Sequence, residues 1–154
     1  MKIEFTGHKV SLKIRRIVKK SFVKTLEYLK QDHSKIEVGV AFLSFDEIQS
    51  LNRETRNIDK ATDVLSYPSF NIKPYDILNI DDNMLYRNRL HLGDMALCLD
   101  QAKVQAEEYG VSFEKEVQKL SVHSALHLMG FDHIEDSDYE VMSKAEQDIE
   151  KLLK

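Results

Sequence analysis

The chain has 154 residues, 42% of them apolar and 31% charged, which is enough for one core burying roughly 68–70% of the unfolded surface and too apolar for a disordered segment. No run approaches the ~20 apolar residues that cross a bilayer, and the opening MKIEFTGHKV lacks the apolar stretch of a secretory leader, so a cytoplasmic protein with no membrane partner is expected. The net charge of −4 hides a basic start, nine Lys/Arg against two Glu in residues 1–30; this meets a polyanion such as RNA or is the solvated side of a helix, and charge alone favours the second.

In chain order, KIEFTG alternates Ile3 and Phe5 with polar residues and predicts a short strand. Ser11 then caps an amphipathic helix that carries Leu12, Ile14, Ile17, Val18, Phe22, Leu26 and Leu29 at three- and four-residue steps. IEVGVAFL, residues 36–43, is apolar and β-branched and reads as a strand. The capping box of Ser44 and Glu47 starts a helix through about Arg56, with Ile48 and Leu51 inward. DVLSYPSF predicts a strand that ends near Pro68, because proline donates no ladder bond. Residues 71–88 are polar and without period, a loop of a length that is often functional.

HLGDMALCLD resumes a strand, with Cys98 as a buried thiol that has no second cysteine to pair with, and leads into a helix closed by Gly110 after Tyr109. A helix from Ser112 should run through VQKLSVHSALHLM to Gly130. Asp136 or Ser137 caps a last helix, with Tyr139, Met142, Ile149 and Leu152 as its core contacts. Helices and strands mix without a βαβ rhythm or a repeat. The expected class is α+β, one domain over residues 1–154 with about four strands and five helices.

The chemistry lies in HSALHLMGFDH. His123 and His127 are four residues apart and project side by side from one helix face, and Gly130 at positive φ can reverse the chain and return His133 to the same point. Three neutral imidazoles form the protein half of an open tetrahedral zinc site, although nickel, copper and iron accept the same ligands. The spacing H-x-x-x-H-x-x-G-x-x-H makes this a zincin-like metal-site helix, but the glutamate that serves as base in such peptidases is replaced by Ser124. Asp132 and Glu135 do not occupy that helical position, so peptide hydrolysis would need an unconventional base. Phosphodiester cleavage instead asks for a metal and a cation to stabilise charge on phosphoryl oxygens, and Arg56 in LNRETRNIDKATDVLSYP is the candidate.

Together, HSALHLMGFDHIED, LNRETRNIDKATDVLSYP and HLGDMALC resemble the YbeY family of bacterial rRNA maturation factors, metal-dependent endoribonucleases, over roughly residues 40–140. The matching positions are Leu51, Asn52 and Arg56; Asp59, Thr62, Asp63, Val64, Leu65, Ser66 and Pro68; Leu92, Gly93 and Asp94; and His123, His127, Gly130, Asp132 and His133. The resemblance implies zinc on the three histidines, a catalytic Arg56, cleavage of single-stranded RNA, maturation of the 16S rRNA 3′ end and a part in ribosome quality control. RNA, the small ribosomal subunit and ribosome-associated proteins are the implied partners.

Ala61, Tyr67 and Ser124 stand where the family has proline, phenylalanine and glycine. The Ser124 hydroxymethyl is expected to narrow the cleft or to bond a helical carbonyl. Asp94 either orients a ligand histidine or makes a turn. Thr62, Asp63 and Ser66 are expected to fix the loop and strand beside Arg56, Asp132 to pin the ligand loop, and Met129 and Met142 to pack in the core. The basic residues 13–24 are a candidate guide for RNA. A zinc peptidase, and a non-catalytic RNA- or ribosome-binding module with a structural metal, stay open as alternatives.

Overall fold

Strict alternation in IEVGVAF sets the inner face of the sheet, with Ile36, Val38, Val40 and Phe42 buried and the residues between them half-buried. The computed structural model describes residues 1–154. The strands are β1 (Lys2–Gly7), β2 (Ile36–Phe42), β3 (Val64–Pro68) and β4 (Leu90–Leu97); the helices are α1 (Leu12–Tyr28), α2 (Phe45–Arg56), α3 (Leu99–Tyr109), α4 (Phe113–Leu128) and α5 (Asp136–Leu152). The sheet order is β1-β2-β4-β3, with β1 and β4 parallel to β2 and β3 antiparallel to β4. The α+β expectation of four strands and five helices holds, and no helix is long and apolar enough to cross a membrane.

The helices start where side-chain oxygens can replace the missing carbonyl partners of the first turn. Ser11 Oγ accepts from Ile14 N, the Ser44–Glu47 box forms in both directions, and Ser112 Oγ accepts from Lys115 N at 3.1 Å. One apolar stripe, Ile14, Val18, Phe22 and Leu26 of α1, joins Val117, Ala125 and Leu128 of α4 and the inner face of β2 in the main core. Ile48 of α2 makes a smaller cluster with Leu65, Ala96 and Cys98, which confirms the buried thiol; burial pushes that thiol upward from its ordinary value.

Three local expectations are corrected. Leu12 points to solvent rather than into the α1 stripe. At α5 the cap position is Glu135, without a side-chain cap bond, and neither Asp136 nor Ser137 fills it. The inner stripe of α5 is Met142, Ala145 and Ile149, continued by Leu153 just past its end, so Tyr139 at 61% and Leu152 at 54% exposure lie out of phase with it. Met129 and Met142 are core residues as expected.

The irregular stretch between β3 and β4 holds one short 3-10 turn, Asp82–Met84. It is tied down at defined points. The buried Gln31 donates to Asp76 O and accepts from Leu78 N, both at 3.0 Å, and Tyr75 packs edge-on against Phe131 at 5.1 Å between ring centroids. This segment therefore roofs the chain that follows α4.

Candidate metal centre

Burial along α4 decides which side chains remain for chemistry. Val117, Leu120, Ser121, Ser124, Ala125 and Leu128 face inward, which leaves His123 and His127 one turn apart on the open side. The helix ends at Met129, and Gly130 takes φ +91°. A Cβ at Gly130 would stand 1.8 Å from Ile72 O, so only glycine combines this turn with the roof above it. The reversal returns His133, and the ligand nitrogens of His123, His127 and His133 lie within 4.8 Å of one another.

Hydrogen bonds behind the rings select the tautomers. Phe131 O can only accept, so the His127 Nδ1 at 2.8 Å carries its proton. His123 Nδ1 donates to Glu146 Oε1 of α5 at 2.6 Å. Both Nε2 atoms are then bare acceptors, and they face each other at 3.0 Å. With no proton left to share, that approach is repulsive unless a cation lies between the nitrogens. A tetrahedral ion with bonds of ~2.0–2.1 Å holds two ligand nitrogens roughly 3.4 Å apart, close to the spacing found. The donor set thus fits a transition metal. Burial, then the neighbouring His123, hold the His127 imidazole down at about 4, which keeps it neutral and able to ligate at neutral pH.

The histidines open into a cleft of about 650 Å³ that Arg56, Asp63, Ser66 and Lys119 also line. Arg56 is the last residue of α2, where Asn57 at φ 58° turns the chain out of the helix. The side-chain Nδ2 of buried Asn52 donates to Lys60 O at 3.0 Å and its backbone carbonyl accepts from Ile58 N at 3.4 Å, which folds the following loop back. Arg53 is occupied by Asp59 at 3.4 Å, whereas the exposed Arg56 has no carboxylate partner and its guanidinium is free to meet an anion.

The structure brings together all four residues that the sequence singled out, and it sorts the others. Ser124 is fully buried and shares a hydrogen bond with Ser66 Oγ at 2.7 Å; it neither narrows the cleft nor bonds a helical carbonyl, because it points at β3. Asp94 orients no ligand. Its carboxylate meets His91 Nε2 at 3.0 Å on the outer face of the sheet. Asp63 Oδ1 accepts from Val64 N at 2.7 Å and from Thr62 Oγ1 at 3.1 Å, and Asp132 accepts from Ile134 N at 3.3 Å, so both fix backbone as expected. None of the basic residues of α1 lines the cleft; its cations are Arg56 and Lys119.

The Endoribonuclease YbeY family model matches residues 2–154. The chain belongs to the YbeY family. It is 41% identical over 137 residues to the endoribonuclease YbeY of Caldicellulosiruptor bescii, covering 88% of this chain and 84% of that one. It is 42% identical over 130 residues to the endoribonuclease YbeY of Clostridium acetobutylicum, covering 79% and 78%. A Thermotoga maritima protein solved in solution superposes with a TM-score of 0.56 at 26% identity, over 96% of this chain and 88% of that one. The YbeY assignment gives the site an RNA-cleaving family context that geometry alone does not.

Glu146 is the site residue that motif reading missed. Its signal was present: a carboxylate four residues after Met142 and three before Ile149, on the edge of an apolar stripe, is a group that needs a buried partner. Lys119 was also legible, one helical turn before His123 on the same face of α4.

Proposed function

We propose that this chain is a zinc-dependent endoribonuclease, one domain over residues 1–154, in which His123, His127 and His133 hold the metal and Arg56 is the catalytic cation. The observation that carries this reading is a single cleft lined by bare imidazole nitrogens on one side and an unpaired guanidinium on the other. Held by these histidines, zinc would supply Lewis-acid polarisation of a phosphoryl oxygen or a water. Arg56 neutralises the negative charge that grows on the phosphoryl oxygens as the phosphodiester is attacked, and its planar fork suits two of them. Glu146 and Phe131 O hold the two α4 rings in the tautomer that presents Nε2.

A zinc peptidase is disfavoured because the residue after His123 is turned into the sheet and bonded to Ser66, leaving no carboxylate in the basic position. Family membership and the motif resemblance extend the proposal to single-stranded RNA as substrate, to maturation of the 16S rRNA 3′ end in the cytoplasm, and to ribosome quality control with ribosome-associated proteins. The test gives metal-loaded protein a defined single-stranded RNA, its duplex and an unfolded polypeptide, each with and without chelator. Cleavage of the single strand alone, lost on chelation while helical circular dichroism persists, is expected. Cleavage of polypeptide with RNA untouched contradicts the proposal, and unfolding on chelation would make the metal structural.

A further inference from the structure

A second cavity, about 350 Å³, lies between α4 and α5. It shares Tyr109, Glu116, Lys119 and Glu146 with the metal cleft, so the two spaces adjoin. Its size is that of a small-molecule site.

Two features say what it takes. Glu116 is 1% exposed, and its carboxyl receives no hydrogen bond from the protein; burial raises it from the ordinary carboxylate value, opposed by Lys119 and reinforced by Asp63. A carboxyl held largely out of bulk water with no protein donor is open to a donor from a ligand, and the spaces it lines are this cavity and the adjoining cleft. Tyr109, at the end of α3, is 59% exposed with Lys119 Nζ 5.0 Å from its ring centroid. The other lysine, Lys115, is tied to Glu150 at 2.6 Å. The cavity therefore offers an aromatic face and a carboxyl with no protein donor rather than a phosphate cradle.

We propose that this cavity is a nucleobase subsite, taking one unpaired base beside the scissile phosphodiester, stacked on Tyr109 and read by Glu116 on its exocyclic amino group. The inference rests on the endoribonuclease reading. Only an unstacked, unpaired base can enter, which builds single-strand selectivity into the enzyme. Adenine, cytosine and guanine carry the amino donor that a carboxyl accepts, and uracil does not. Lys119 then leaves the tyrosine ring for an adjacent phosphate.

The test uses metal-loaded protein and a set of single-stranded RNAs of one sequence, with an abasic site or each of the four bases at every position flanking the cut. For the unaltered protein, an abasic site at one flanking position should raise KM about tenfold with kcat nearly unchanged, the loss expected for one base–aromatic stack. Tyr109→Ala, at an exposed position, should show the same rise on intact RNA and no further loss with the abasic strand. Uridine at that position should be disfavoured. Glu116→Gln, which keeps an acceptor oxygen, should preserve the discrimination, and Glu116→Ala should erase it. If Tyr109→Ala cleaves intact RNA with unchanged KM, or the abasic penalty survives in that variant, the subsite is wrong while the nuclease stands. No RNA cleavage by the unaltered protein removes both.

Discussion

His123 and His127 are held from behind, by Glu146 and by Phe131 O, whereas Arg56 on the facing wall is anchored only through its backbone at the end of α2. The histidine wall is roofed as well, by Ile72 over Gly130 and by Tyr75 against Phe131. The arginine wall is an exposed loop whose hydrogen bonds come from Asn52 and Asp59, none of them to Arg56 itself. A metal site needs fixed rings, because misplaced ligands lose affinity. A group that meets a developing phosphoryl charge needs reach, and the exposed guanidinium has it.

Breaking the fixed wall should have the largest effect. His123→Ala or His127→Ala removes one of the three proposed ligands, and metal content measured by elemental analysis should fall to background together with RNA cleavage. Gly130→Ala sets a methyl against Ile72 O in a backbone region that non-glycine residues rarely adopt. It should cost about 3 kcal/mol in denaturant unfolding and loosen the metal with it. Glu146→Gln keeps size but weakens the acceptor behind His123, so metal affinity from chelator competition should drop roughly 10- to 100-fold with the fold intact. An unchanged affinity would show that the ring needs no support.

Acid probes the same wall more gently. His127 is held at about 4, below the ordinary imidazole value of 6.5. Between those pH values the unfolded chain takes up a proton that the folded chain refuses. The stability of metal-free protein should therefore fall as pH drops from about 6.5 to about 4 and level off below, and a His127→Gln variant should lose that slope. The smallest effect is expected from Ser124→Ala, which leaves Ser66 without its partner and should cost about 1 kcal/mol with metal content unchanged.

Much of the histidine wall was legible because its geometry is local. Four-residue spacing aligns His123 and His127 on any helix, and Gly130 marks the turn that returns His133. Glu146, 23 residues beyond His123, needed the packing of α5 against α4, which no local rule supplies. Ser124 was misread although its phase was available: Val117, Leu120, Ser121, Ser124 and Leu128 form one inward stripe, and position 124 belongs to it. The same error of phase put Leu152 inside instead of Leu153. Arg56 was a candidate on chemical grounds and was singled out among the arginines by the motif resemblance, since an exposed arginine at a helix end has no distinguishing pattern and its freedom shows only beside the paired Arg53.

Arg56→Glu tests the division of labour between the two walls most directly, with zinc content and single-stranded RNA cleavage measured on one preparation. Full zinc retention with cleavage reduced at least about a hundredfold is the predicted result. Cleavage at the unaltered rate with full zinc would contradict the role of Arg56.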